Sequence, residues 1–180
     1  AGKDDLHLRR APLAAVVREA AEPHLGRGKR VEFTLAPAAG AAGRQPLVPR
    51  RPEIIHGLRN LIQNAVDFAA STVWVDIAWG PQTICVTIVD DGEGYPPHLL
   101  GRIGDPFVRD RRGPAVPARP EYEGMGLGLF IAKTLLERSG AELAFANGSD
   151  PFLSREERPA RSGAIVEVRW RAADLVVPED

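Results

Sequence analysis

Two runs in which apolar and polar residues largely alternate, Thr72–Trp79 and residues 83–89, lie on either side of Gly80-Pro81. Both read as strands, with the glycine-proline pair as the hairpin turn between them. A two-stranded hairpin is not stable alone in water, so the flanking segments have to supply more sheet and a covering layer. Leu13, Val16, Val17 and Ala20 recur at helical spacing ahead of Gly26 and Gly28, which predicts a first helix over residues 12–24. Residues 31–35 alternate and read as a strand. Pro and Gly dominate residues 37–52, with a short strand at Leu47-Val48. A second helix over residues 52–70 starts on Pro52, the favoured place for a helix-start proline.

Residues 90–126 are rich in Gly, Pro, Arg and Asp. An irregular stretch of that length inside a compact domain is usually a functional lid or disordered; a lid is expected over about residues 95–125. A third helix over residues 127–139 is stopped by Gly140. Residues 142–146 and 164–170 read as closing strands around a polar insertion at 151–161. The chain shows no repeat and no second domain. With 180 residues, it is long enough to bury one proper core. The expected fold class is α+β, an α/β sandwich of about three helices on one face of a sheet of about four to six strands.

Composition narrows the function classes. The formal net charge of −1 points to neither nucleic acid nor an anionic membrane. The one cysteine, Cys85, excludes an internal disulfide and a cysteine-based zinc site, which fits a reducing compartment; it sits in a strand and is expected in the core. No run approaches the roughly 20 apolar residues that span a bilayer.

The second helix carries the most chemistry. At about 100° per residue, Ile54, Leu58, Leu61, Ile62, Ala65, Phe68 and Ala69 share one apolar arc. Glu53, His56, Asn60, Asn64 and Asp67 form a narrow stripe opposite it. A plain solvated face would favour Lys, Glu or Arg, because Asn in mid-helix costs about 0.6 kcal/mol relative to Ala. Two stacked amides instead suit a hydrated Mg²⁺ held partly by nucleotide phosphates. A second cluster, Asp90-Asp91-Gly92-Glu93-Gly94, follows directly on a strand. A carboxylate there can accept a hydrogen bond from an exocyclic amine such as that of adenine, and the glycines let the backbone approach a ligand. A third cluster, Gly124-Met125-Gly126-Leu127-Gly128-Leu129, opens the predicted third helix, where free N–H groups can bind phosphate. Its spacing is neither a dinucleotide fingerprint nor a GxxxxGK[ST] phosphate loop.

In this order the clusters resemble the boxes of two-component sensor histidine kinases, within the superfamily of gyrase, heat-shock protein 90 and MutL. Asn60-Leu61-Ile62-Gln63-Asn64-Ala65 resembles the N box and Asp90-x-Gly92-x-Gly94 the G1 box. Asp105-Pro106-Phe107-Val108-Arg109 resembles the F box, the run from Gly124 to Leu129 the G2 box, and Gly163-Ala164 the closing glycine motif. Residues 61–69 and 101–107 look closer still to the redox-responsive RegB/PrrB kinases of photosynthetic purple bacteria.

The resemblance implies a Bergerat-type fold: a mixed, mostly antiparallel sheet of about five strands, three helices on one face, and an ATP lid. It implies ATP and Mg²⁺, with Asn64 as metal ligand, Asn60 supporting metal and phosphates, and Asp90 reading the adenine amine. Gly92, Gly94, Gly124, Gly126, Leu127 and Gly128 would line the nucleotide with Phe107. Arg109 would reach the terminal phosphate. Transfer would go to a histidine on the kinase's own dimerisation domain, then to an aspartate of a response regulator. The expected setting is a cytoplasmic domain of an inner-membrane sensor kinase, in redox-responsive gene control, with no nucleic acid and no direct membrane contact.

Two departures bear on activity. Many such kinases carry a basic residue where this chain has Asp67, and aspartate would repel phosphate unless metal or arginine intervenes. None of His7, His24, His56 and His98 lies in a phosphoacceptor pattern, so the acceptor and sensor domains are not in these residues. The alternatives are a nucleotide-binding module with little transfer activity, or an ATP-operated clamp. A clamp needs a glutamate where Asn60 stands, to act as base on water.

Overall fold

The computed structural model describes residues 9–41, 43–102, 120–148, 154, 156–157 and 159–177. In chain order the elements are β1 (Arg10–Pro12), α1 (Leu13–Ala21), a 3₁₀ turn (Glu22–His24), β2 (Arg30–Pro37), β3 (Leu47–Pro49) and α2 (Pro52–Phe68). Then come β4 (Thr72–Trp79), β5 (Thr83–Asp90), a second 3₁₀ turn (Leu100–Arg102), α3 (Pro120–Arg138), β6 (Glu142–Asn147), β7 (Ala164–Arg171) and the short α4 (Ala172–Leu175).

The hairpin forms as expected, with Val73 opposite Asp90 and Trp79 opposite Ile84, closed by a bond from Gly80 N–H to the Thr83 carbonyl. It sits at the centre of a five-stranded sheet in the order β2-β4-β5-β7-β6. The β2–β4 pairing is parallel and the other three are antiparallel. Alternation along the strands separates two faces. Val73, Val75 and Ile77, Ile84, Val86 and Ile88, and Val166, Val168 and Trp170 are buried on the face beneath the helices. Trp74, Asp76, Cys85, Thr87 and Glu167 are only half-buried on the other. Cys85 is therefore not a core residue. It lies on the uncovered face beside Thr87, where partial burial pushes its thiol pKa up.

Helix α1 buries Leu13, Val16, Val17 and Ala20, and α2 buries Ile54, Leu58, Leu61, Ile62 and Ala65, so the predicted apolar arcs are the faces turned inward. The small β1–β3 pair was only half anticipated. Its three-residue β1 ends on Pro12 and is too short for a periodic signal.

The third helix begins earlier than its sequence pattern suggests. It starts on Pro120, a residue suited to a helix start, and runs to Arg138. Gly124, Gly126 and Gly128 therefore lie within it, and none has a positive φ. The Gly-rich run does not open this helix. Its amides lie beyond the unpaired first turn, where N–H groups bond back to the preceding turn. Gly140 ends the helix as expected, with Ala141 N–H returning to the Leu136 carbonyl.

Gly57 lies on the buried side of α2 against α3. A Cβ there would sit 2.5 Å from Cγ of the buried Leu136. Alanine at 57 gains about 1 kcal/mol of helix propensity but incurs about 1–3 kcal/mol of overpacking. We expect Gly57→Ala to lower stability by about 1 kcal/mol in urea unfolding. Combined with Leu136→Ala, its cost should be less than additive, because the clash is gone. Additive losses would remove the contact as the reason for Gly57.

Candidate functional site

Strand β5 ends on Asp90, which is 1 % exposed. Its Oδ1 accepts from Gly92 N–H at 2.8 Å and from Ala164 N–H at 3.2 Å, and its carbonyl accepts from Gly163 N–H at 2.9 Å. A Cβ at Gly163 would lie 2.0 Å from Asp90 Oδ1, so glycine is required there by space alone. Both hydrogen bonds to the carboxyl fall on Oδ1, and Oδ2 has no hydrogen-bond donor among the described residues. Burial is the main reason the Asp90 pKa is pushed up to about 6, against the lowering effect of the two N–H bonds. The group is poorly solvated, and one of its two oxygens carries both hydrogen bonds. That suits a carboxylate that receives a ligand amine.

The loop after Asp90 is fixed from two sides. A Cβ at Gly92 would fall 2.1 Å from the Phe68 carbonyl, so this loop packs directly on the end of α2. Gly94 has φ +85°, open to glycine at little cost, and a Cβ on it would meet Asn147 Oδ1 at 2.7 Å. Asn147 clasps the next residue, accepting from Tyr95 N–H at 2.7 Å and donating to the Tyr95 carbonyl at 2.9 Å. Tyr95 is buried, edge-on to Phe145. Asp91 takes a different role from Asp90. It accepts from Ser71 N–H, Ser71 Oγ–H and Thr72 N–H, tying the α2–β4 turn to the loop. Burial works to raise its pKa, but these bonds outweigh it and hold the carboxyl below the usual range. The sequence offered no local sign of Asn147 or of the Asp91 clasp, because both partners are distant along the chain.

Gly92 rests on the end of α2, so the loop after Asp90 is in direct backbone contact with the helix that carries the asparagine stripe. Asn64 is 9 % exposed and Asn60 half-buried. The hydrogen bonds among the described residues leave both side-chain amides uncommitted. The two amides offer neutral oxygens and N–H donors at helical spacing. Among the described residues no group of three His, Cys, Asp or Glu could hold a metal. The donor set thus fits a Mg²⁺ that takes most ligands from phosphate and water, with one side-chain oxygen from this chain.

The remaining expected residues divide. Leu127 is exposed and Gly126 and Gly128 half-buried on α3, with no atom within 4 Å of where a Cβ would stand on either glycine. Gly124 lies in the same helix. Phe107 and Arg109 lie outside the described residues. So does most of the expected lid, residues 103–119; at its start Leu99 is buried, with its N–H on the Pro96 carbonyl. His56 is exposed on α2, as expected of a helix-face residue. The buried Trp79 and Trp170 are packing residues, and Trp74 lies under the Arg161 guanidinium on the uncovered face.

The fold and these boxes define a nucleotide-binding ATPase-type domain. The chain belongs to the family described as histidine kinase-, DNA gyrase B- and HSP90-like ATPase, matched over residues 50–174. It is a histidine kinase ATPase domain similar to that of Sensor histidine kinase RegB of Cereibacter sphaeroides, 70 % identical over 98 % of this chain. The chain spans 38 % of that relative's length. Signal transduction histidine-protein kinase AfsQ2 of Streptomyces coelicolor is 38 % identical over 58 % of this chain and 18 % of its own length. Among solved structures, the Mycobacterial sensor histidine kinase MprB aligns with TM-score 0.61 at 19 % identity over 90 % of this chain and 97 % of its own, a likeness of fold. The catalytic domain of histidine kinase ThkA aligns with TM-score 0.62 at 18 % identity over 90 % of this chain and 94 % of its own.

The buried carboxylate has a measurable consequence. The folded pKa of Asp90 lies above its unfolded value, so folding binds a proton between about pH 4 and pH 6. Stability from this group is therefore lost as pH rises through that window. Asp90→Asn keeps an acceptor for the two N–H groups and carries no charge. Its stability relative to the unaltered domain should rise by on the order of 2–3 kcal/mol between about pH 4 and pH 6.5 in denaturant titrations. A pH-independent difference would contradict the burial of an ionised Asp90.

Proposed function

We propose that this domain binds Mg-ATP and donates the γ-phosphoryl group to a histidine on a separate dimerisation domain of the same kinase. The observation that carries this reading is Asp90, buried at a strand end with Oδ1 held by two backbone N–H groups and Oδ2 left to accept. In this reading Oδ2 accepts the adenine amine. Gly92 and Gly94 keep the loop low enough for the base to approach. Asn64 would ligate Mg²⁺ and Asn60 would steady metal and phosphates. When bound, the metal would supply charge neutralisation for the transferring phosphoryl group. Gly124, Gly126, Leu127 and Gly128 line the phosphates, with Phe107 and Arg109 closing over them.

For the G2-type amides to reach phosphate, the first turns of α3 must unwind. Three glycines make that inexpensive, since each weakens a helix interior by about 1 kcal/mol relative to alanine. Chemistry in this site is positioning and charge stabilisation. The bond from the γ-phosphorus to the bridging oxygen breaks, a bond to the imidazole nitrogen forms, ADP leaves, and the imidazole proton passes to water. The phosphoryl group then goes to a response-regulator aspartate. The resemblance to redox-responsive sensor kinases suggests that the whole protein is a dimeric inner-membrane sensor kinase, with this domain on the cytoplasmic side. An ATP-operated clamp is disfavoured by Asn60, which cannot take a proton from water.

Calorimetry should show Asp90→Asn weakening Mg-ATP more than Mg-GTP; equal losses would remove Asp90 from base recognition. With labelled ATP the domain alone should take up no label, because none of its histidines lies in an acceptor motif. Adding the phosphoacceptor domain of the same kinase should give acid-labile label on that domain. Acid-labile label on the isolated domain would contradict the division of labour and single out His56.

A further inference from the structure

The 3₁₀ turn and the loop to β2 dock against the end of α2. Gly26 and Gly28 both have positive φ, +80° and +86°, which bends the chain sharply on either side of Arg27. Lys29 Nζ donates to the Ala69 carbonyl at the C-terminal end of α2, and Arg30 N–H bonds the Ser71 carbonyl. The turn is thus pinned where the asparagine stripe ends. Within it, Arg27 Nη2 donates to Asp67 Oδ1 at 2.8 Å, and Nη1 lies 3.1 Å from His24 Nδ1. Asp67 stands one helical turn beyond Asn64, at the end of the Asn60–Asn64 stripe.

From this arrangement we propose that Arg27 is a phosphate-binding residue of the nucleotide site, carried in from the α1–β2 loop to supply the cation that Asp67 displaces from α2. The assignment rests on the adenine-nucleotide reading above.

Three observations support it. A guanidinium has five N–H donors, and the described contacts of Arg27 account for two. The others are free for oxyanions, and the side chain is 43 % exposed. As an exposed ion pair, Arg27–Asp67 adds little to stability, so stability is a weak reason for the arrangement. His24 is also held at a cost. With Nδ1 accepting from Arg27, the proton belongs on Nε2, which is buried with no partner among the described residues. Burial, and then the charge of Arg27, lowers the His24 pKa, which keeps the ring neutral and able to accept. A histidine kept in this state orients Arg27.

The geometry also argues against Asp67 as a metal ligand. One of its oxygens is already committed to Arg27, so the pair presents a guanidinium beside the stripe and not a free carboxylate.

The test is calorimetry of the domain with Mg-ATP and with adenosine. Arg27→Gln should weaken Mg-ATP about tenfold, the scale of one charge-assisted hydrogen-bonded contact, and leave adenosine unchanged. Adding Asp67→Lys to Arg27→Gln returns a cation from α2 itself and should restore most of the Mg-ATP affinity. Equal losses for ATP and adenosine, or failure of the double variant to recover, would show a role in folding alone. Unchanged ATP affinity in Arg27→Gln would remove this assignment and leave the nucleotide reading intact. Absence of ATP binding by the unaltered domain would remove both.

Discussion

The site depends on the seam where β5 meets β7. Asp90 at the end of one strand receives the backbone N–H groups of Gly163 and Ala164 from the other, and that of Gly92 from its own loop. Three donors gathered at one residue both end the ladder and aim a carboxyl group. Its desolvation is unfavourable, and the sheet around it must hold the geometry against that cost. The hydrophobic rows of β4, β5 and β7 do so, because a slip of one residue would turn their buried face outward. Gly92 carries the fixed geometry to α2, so the position of Asn64 relative to Asp90 follows from backbone contact and not from flexible side chains.

Much of this was legible in the sequence. The hairpin at Gly80-Pro81, the strands and the inward arc of α2 follow from short-period patterning. The asparagines could be singled out because each is a poor choice for a solvated helix face, whereas Asp90 stood out only together with its glycines and the other clusters. Other features had no local signature. Asn147 and Tyr95 lie 52 residues apart, and Arg27 and Asp67 lie 40 apart. Glycine misled at α3: the alternating glycines looked like a loop entering a helix, whereas Pro120 starts the helix earlier and all three adopt helical backbone. Gly57 passed as an ordinary helix residue because its reason, Leu136, lies on another helix.

The departures from the family pattern fit one physical account. Aspartate at position 67 alone would oppose phosphate. Paired with Arg27 it becomes the means of placing a positive charge, and the neutral His24 fixes the other side of the same guanidinium. The glycines of α3 fit the same proposal. If phosphate binds beside them, a helix weakened there can be remodelled at modest cost, while Leu129, Ala132 and Leu136 keep the rest of it in the core.

The most direct test of the account is a carbon-detected NMR titration of the Asp90 carboxyl, with and without saturating ADP. The free domain should show a midpoint near about 6, set by burial. Bound ADP should move it downward, because an adenine amine on Oδ2 favours the ionised form. A midpoint in the ordinary carboxylate range in the free domain, or one that ADP leaves in place, would contradict the claim that this buried carboxylate reads the base.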